Sequence, residues 1–163
     1  MRTDFNIPGY KSDEMDKIKY KSKMKQVFLS HDIPVALGKV FQTAEEGWNL
    51  LEQFGYPVIV KPDSGVGASD TYKISTPEDF TDFLTKRNPD VTYFMEEFIK
   101  GDIITFDGLT DQNGRVVFYS SLVYQEPALD TVHRTGDMYF YETRDIDADL
   151  YELGMKSVAA FDI

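Results

Sequence analysis

The 163-residue sequence predicts an α+β fold, and three observations carry that expectation. Segments with helical spacing intermix with short apolar runs, in no regular alternation. Two of those runs flank Asp111-Gln-Asn-Gly114, which signals a hairpin rather than a crossover. Hydrophobic residues make up 42% of the chain, with 12 Phe and 10 Tyr, enough for the core of one ordinary domain.

Taken in order, residues 1–11 contain Pro8 and Gly9 and read as an irregular lead-in. From Ser12 to His31 the spacing is helical, with Ile18, Met24, Val27 and Phe28 on one side and lysines opposite. His31 ends this helix, where its ring can interact with the last carbonyls. Ile33–Phe41 reads as a strand. Thr43 then opens a helix in which Glu46 completes a Thr-x-x-Glu capping box. Trp48, Leu50, Leu51 and Phe54 give this helix its apolar contacts, and Gly55 stops it. Pro57–Lys61 is a short buried strand that runs into the loop PDSGVGASD. Thr71–Ser75 is a further strand, and Thr76-Pro77 starts a helix to Arg87, a cap followed by a first-turn proline. Val91–Ile99 is strand-like and carries the acidic pair Glu96-Glu97. Ile103–Leu109 and Arg115–Tyr124 are the hairpin strands. Gln125–Asp137, with His133 and Arg134, is polar and long for a connection, which marks it as a candidate functional loop. Tyr139–Thr143 is a strand and Ala148–Phe161 a closing helix.

Charge and composition narrow the function. The formal charge is −11, which disfavours nucleic acid and anionic membrane surfaces as partners. There are no cysteines and only two histidines, so thiolate metal sites and a histidine cage are excluded. No apolar run approaches a membrane span, and the amino terminus has no apolar signal core. A soluble, cytoplasmic domain is expected. The charge is uneven: residues 1–95 hold 12 Lys/Arg against 14 Asp/Glu, whereas residues 96–163 hold 5 against 14. Five lysines crowd positions 17–25. The first part is therefore the one suited to an anion, although solvated faces give the same counts.

The most informative stretch runs from Phe54 to Asp70. Lys61 closes a buried strand beside a loop with two glycines and two serines. Glycine lets backbone N–H groups approach an oxyanion closely, and serine adds donors, so the stretch suits phosphate. A plain surface turn has the same composition. The Walker pattern fails because Gly67 is followed by Ala68-Ser69 rather than Lys-Ser/Thr. The dinucleotide fingerprint fails because Gly65-Val-Gly67 lacks the last glycine and runs into a strand.

Together with its neighbours this stretch resembles the ATP-grasp family of ATP-dependent ligases. Three segments carry the resemblance, in that family's order: Lys21-Ser-Lys-Met-Lys25 with Asp32-Ile-Pro-Val35, then Gly55-Tyr-Pro-Val-Ile-Val-Lys61-Pro and its loop, then Phe94-Met-Glu-Glu-Phe-Ile99-x-Gly101. The resemblance implies antiparallel sheets with flanking helices, comprising the first ATP-grasp subdomain and the beginning of the second. It divides the chain into a lead-in over 1–20, a first subdomain over 21–95 and part of a second over 96–163. It implies that Lys21 and Lys61 contact the nucleotide phosphates, with Lys23 and Lys25 as alternatives in register to Lys21. Ser64, Gly65, Gly67, Ala68 and Ser69 would cover the phosphates. Glu96 would face the adenine amino group. The Glu97 carbonyl and the Ile99 N–H, on either side of Phe98, would read the adenine edge.

Two departures accompany the likeness. Where many members place a ribose-binding Glu, this chain has Ile103, leaving Asp102 as the substitute. The Glu and Glu-x-Asn magnesium ligands of the family would follow a helix like Ala148–Phe161, so the resemblance places Mg2+ ligands beyond residue 163 and implies a fragment, inactive alone and prone to self-association. No catalytic or metal residue is assigned within the chain. The function implied is the ATP-binding portion of a ligase, of carboxylate–amine or carbamoyl-phosphate-synthase-like type. That ligase activates a carboxylate as an acyl phosphate for attack by an amine. A non-catalytic module binding nucleotide or a protein partner is the alternative, and Ile103 favours it.

Overall fold

The computed structural model describes residues 4–5, 9–12, 14–65, 70–124 and 139–163. Where the sequence predicts one helix over 12–31, there are two, α1 (Asp16–Lys19) and α2 (Lys21–Ser30). The break lies at Tyr20, whose backbone is extended (φ −99°, ψ 124°) and pairs with Ser64. The Lys21 N–H next to it donates to the Asp63 carbonyl at 2.8 Å. Pairing with another segment thus displaces the helical path that the spacing favours.

Strand β1 (Gly38–Phe41) is also shorter than the 33–41 expected. Pro34 has no N–H to give a ladder. Leu37 donates its N–H to the Glu97 side chain and accepts from the Glu97 N–H, both at 2.9 Å. Helix α3 (Ala44–Phe54) begins on the Thr43–Glu46 capping box and ends at Gly55, whose φ of +73° is the left-handed region glycine tolerates. Strands β2 (Val58–Pro62) and β3 (Tyr72–Ile74) follow. Helix α4 (Pro77–Lys86) is capped by Thr76 and Asp79, and β4 (Tyr93–Glu97) comes after it. The hairpin comprises β5 (Asp107–Thr110) and β6 (Val116–Tyr124). Its first strand starts later than Ile103, which the sequence suggested; Ile104 makes only an isolated bridge to Val123. Strand β7 (Phe140–Thr143) and helix α5 (Ala148–Ala160) complete the described chain. The loop over 125–137, with His133 and Arg134, lies outside the described residues, as do Gly67, Ala68 and Ser69.

Two antiparallel sheets result, one in the order β1-β4-β2-β3 and one in the order β5-β6-β7. The first sheet has two chemically distinct faces because side chains alternate along each strand. Val58, Val60, Ile74, Tyr93 and Met95 point to the side covered by α3 and α4, where they join Phe41, Leu50, Leu51, Phe80 and Phe83 in a buried cluster. Trp48 packs on Phe80 edge to face at 4.8 Å, the core role its sequence context implied. Ile59, Lys61, Lys73, Phe94 and Glu96 occupy the alternate positions and face the other way. Register sets Ile59 opposite Glu96, Ile59 opposite Lys73, and Lys61 opposite Phe94. A Cβ on Gly38 would meet the Phe94 ring at 2.7 Å, so only glycine lets β1 lie this close to β4.

The composition suggested the core of one domain; the structure divides its buried residues between that sheet cluster and a second one. Ile33, Ala160 and Phe161 are buried there with Ile18, Met24, Val27, Phe28 and Leu153 packed around them. Phe28 of α2 meets Phe161, just past α5, edge to face at 5.1 Å. The apolar stripe of the amino-terminal helix is therefore spent on the last helix, not on the first sheet. His31 caps α2 as expected, its Nδ1 lying 2.9 Å from the Val27 carbonyl. No described helix is long and apolar enough to cross a membrane.

Candidate functional site

The polar face of the first sheet forms the floor of a cleft of about 600 Å³, within the range of small-molecule sites. Ile59 and Lys61 of β2, Lys73 of β3 and Glu96-Glu97 of β4 line it, and the segment Phe98–Gly101 with Ile103 forms its wall. Strand alternation explains Ile59, Lys61, Lys73 and Glu96, while Glu97 reaches the cleft rim at the end of β4. The wall is placed by the exit of β4, where the Phe98 N–H donates to the Pro57 carbonyl at 3.2 Å and the chain turns away from the sheet.

Two lysines hold one carboxylate at one end of the cleft, and a third lies beside them. Glu96 pairs with Lys61 through one oxygen and with Lys25 through the other, the latter at 3.2 Å. Lys25 also donates to the Ala36 carbonyl and lies over the Phe94 ring at 4.9 Å. Lys21 donates to the Gly65 carbonyl at 3.2 Å. Lys21, Lys25, Lys61 and Glu96 line one pocket. Three ammonium groups face Glu96 and, beside Lys21, the Asp63 carboxylate, which leaves a surplus of one positive charge in a half-buried setting, where charge is weakly screened. The Lys21 ammonium titrates below the ordinary lysine range, first because burial disfavours its charge and next because Lys61 repels it.

Asp63 holds α2 in place. Its carboxylate is buried and accepts from the Ser22 N–H and the Ser22 hydroxyl, both at 2.8 Å. Helix α2 has no cap from its own preceding residue Tyr20, so Asp63 caps it from across the fold and puts negative charge at its amino end. Asp63→Ala is expected to cost about 1.5–3 kcal/mol of unfolding free energy and to loosen Lys21. Urea unfolding checks the first effect, and a stability within error of the parent would contradict the capping role.

Of the residues singled out in the sequence, Lys61, Glu96, Glu97, Phe98 and Ile99 line the cleft, and Lys21 and Gly65 stand at its cationic end. Ser64 pairs with Tyr20 beside them. Asp102 is exposed and is not among the residues that line the cleft, although Gly101 and Ile103 on either side of it are. Both oxygens of Glu96 meet lysines, one Lys25 and the other Lys61. The sequence reading gave no role to Lys73, and it left Lys25 as an alternative. Helical geometry separates the three candidates: Lys21 and Lys25 share a face at i and i+4, while Lys23 points away and pairs with Asp16. Lys73 was legible from alternation across β2 and β3 once their pairing is known. Among the described residues no three His, Asp or Glu side chains group to hold a metal ion. The described residues do not fit a magnesium site.

Solved structures share this architecture. The L-amino acid ligase from Bacillus licheniformis superposes with a TM-score of 0.76, over 99% of this chain and 38% of that one, at 17% identity. D-alanine–D-alanine ligase from Bacillus anthracis gives 0.71, over 99% and 53%, at 20% identity. The fold is ATP-grasp, α+β with antiparallel sheets and flanking helices. Residues 16–138 match the family described as "Carbamoyl-phosphate synthase L chain, ATP binding domain", and the chain belongs to that family. The arginine-specific carbamoyl phosphate synthase large chain of Halalkalibacterium halodurans is 25% identical over 108 residues, which are 65% of this chain and 10% of that protein. The chain thus spans about a tenth of the length of that relative.

Proposed function

We propose that the cleft binds ATP, as the nucleotide-binding portion of a ligase that joins a carboxylate to an amine. The observation that carries this reading is the lysine cluster at one end of a partly apolar cleft with an extended segment along its wall. In it Lys21 and Lys61 take the phosphates beside Ser64 and Gly65, and the base lies along Glu96–Ile99. The Ile99 N–H makes no hydrogen bond among the described residues and is free to donate to a base edge. Asp102 is the ribose acceptor in this reading only if its side chain turns inward. In such a ligase the carboxylate attacks the terminal phosphorus of ATP, ADP leaves, and the amine then displaces phosphate from the acyl phosphate. This chain's residues contribute positioning and neutralisation of the triphosphate, with magnesium held by residues outside those described.

Calorimetric titration of ATP tests the binding, with ADP release measured alongside in the presence of magnesium and a panel of amino acids. Saturable binding without release by the 163-residue chain is expected. Absence of any binding would sink the reading, and Lys61-dependent release would show that these residues suffice for transfer. The second reading, a module that binds nucleotide without transferring it, is favoured by Ile103 in the cleft wall.

The lowered Lys21 pKa adds a pH signature. Because its charged form is disfavoured in the folded chain, Lys21 loses its proton at a lower pH than an exposed lysine. ATP affinity is therefore expected to start falling, as pH rises, before the ordinary lysine range is reached. Lys21→Met should weaken binding near neutrality and flatten that early fall. A profile identical in parent and variant would count against Lys21 as a phosphate contact.

A further inference from the structure

Lys25 is less exposed than Lys61, with 11% of its side chain accessible against 25%, and Glu96 between them has 17%. Lys61 reaches the open cleft, whereas Lys25 sits behind Glu96, lining the inner pocket but not the cleft. An anion arriving in the cleft competes with Glu96 for Lys61. If Lys61 were the sole partner of Glu96, each contact to the anion would leave a half-buried carboxylate unpaired, at a cost that can cancel the gain. Lys25 removes that conflict, because its ammonium, anchored on the Ala36 carbonyl, stays on the second carboxylate oxygen.

We propose that Lys25 is a positioning residue which keeps Glu96 paired so that Lys61 can leave it for a ligand phosphate. The proposal rests on the anion-binding reading above but not on adenine recognition. It predicts a pattern that direct contact between Lys25 and the ligand does not give: the penalty of losing Lys25 disappears when Glu96 loses its charge.

The experiment uses inorganic triphosphate as probe, titrated by calorimetry into the full chain, with ATP run in parallel. Lys25→Met keeps an unbranched apolar side chain in the pocket beside Phe94 and is expected to weaken triphosphate about tenfold, a coupling ordinary for adjacent charges. Lys25→Arg should restore most of the affinity, and Lys25→Met combined with Glu96→Gln should return to within about threefold of the parent. Unchanged affinity in Lys25→Met overturns the proposal. So does a loss that Glu96→Gln fails to relieve, since Lys25 then acts on the anion itself. Should Lys25→Met fail to fold, Glu96→Gln alone decides: binding at least as tight as the parent supports the proposal, and weaker binding overturns it. A parent that binds triphosphate but not ATP removes the nucleotide reading and leaves this one standing; a parent that binds neither overturns both.

Discussion

Lys61→Ala is expected to weaken ATP binding about 10- to 150-fold, the largest effect of any single change in the cleft. The magnitude follows from charge-assisted hydrogen bonds worth about 1.5–3 kcal/mol each, converted at about 1.4 kcal/mol per decade. The geometry gives the reason for singling out this lysine. It lies on β2 opposite Phe94, on the cleft side of the sheet, and lines both the cleft and the inner pocket. Its removal lowers the positive surplus around Glu96 by one charge, while Lys25 still satisfies the carboxylate. The fold should survive, because position 61 belongs to the face turned away from the aromatic core. Calorimetry on variant and parent, with thermal unfolding as a control, measures the effect. Unchanged affinity in a folded variant would remove Lys61 from the site.

Phe83→Ala is expected to be the most damaging change to stability, by about 3–5 kcal/mol, as for other buried Phe truncations. Phe83 is 1% exposed and sits among four aromatic rings, with centroids at 5.0 Å for Tyr93, 5.1 Å for Tyr72, 5.7 Å for Phe80 and 6.2 Å for Phe41. Its neighbours belong to β1, β3, α4 and β4, so no one of them can close the space without moving a whole element. Urea unfolding of parent and variant gives the difference directly. A loss below about 1 kcal/mol would mean that the cluster collapses easily. At temperatures where the variant stays folded, triphosphate affinity should change little, because the ring is on the sheet face opposite the cleft. A large loss of affinity there would show that the two faces are mechanically coupled.

How far the sequence could be read depended on the range of the interactions involved. The capped helices α3 and α4 were legible because Thr43 with Glu46 and Thr76 with Asp79 act within one turn of chain. Strand β2 and Lys61 at its end were legible from a short apolar run bounded by Gly55 and the glycine loop. The extent of the first helix was not, because Tyr20 is drawn out of the helix by Ser64, more than forty residues away. The strand expected over 33–41 was overdrawn because nothing near it in sequence reveals that Leu37 meets Glu97. Of the three clustered lysines, α-helical periodicity alone puts Lys21 and Lys25 together, but the partner that distinguishes them, Glu96, comes from β4.

By itself, then, the sequence determined the α+β class, the positions of most elements, and the motif residues by which the chain resembles the ATP-grasp family. These rest on local spacing: the period of 3.6 or 2, a cap three residues from its partner, a glycine where φ is positive. Only the tertiary structure decided that α2 packs on α5, that Asp63 caps a helix it does not precede, and that Glu96 is held between Lys25 and Lys61. Each of those joins segments at least 35 residues apart. Their pairing depends on strand register and on which apolar faces find each other, and these are properties of the whole chain, which no local spacing encodes.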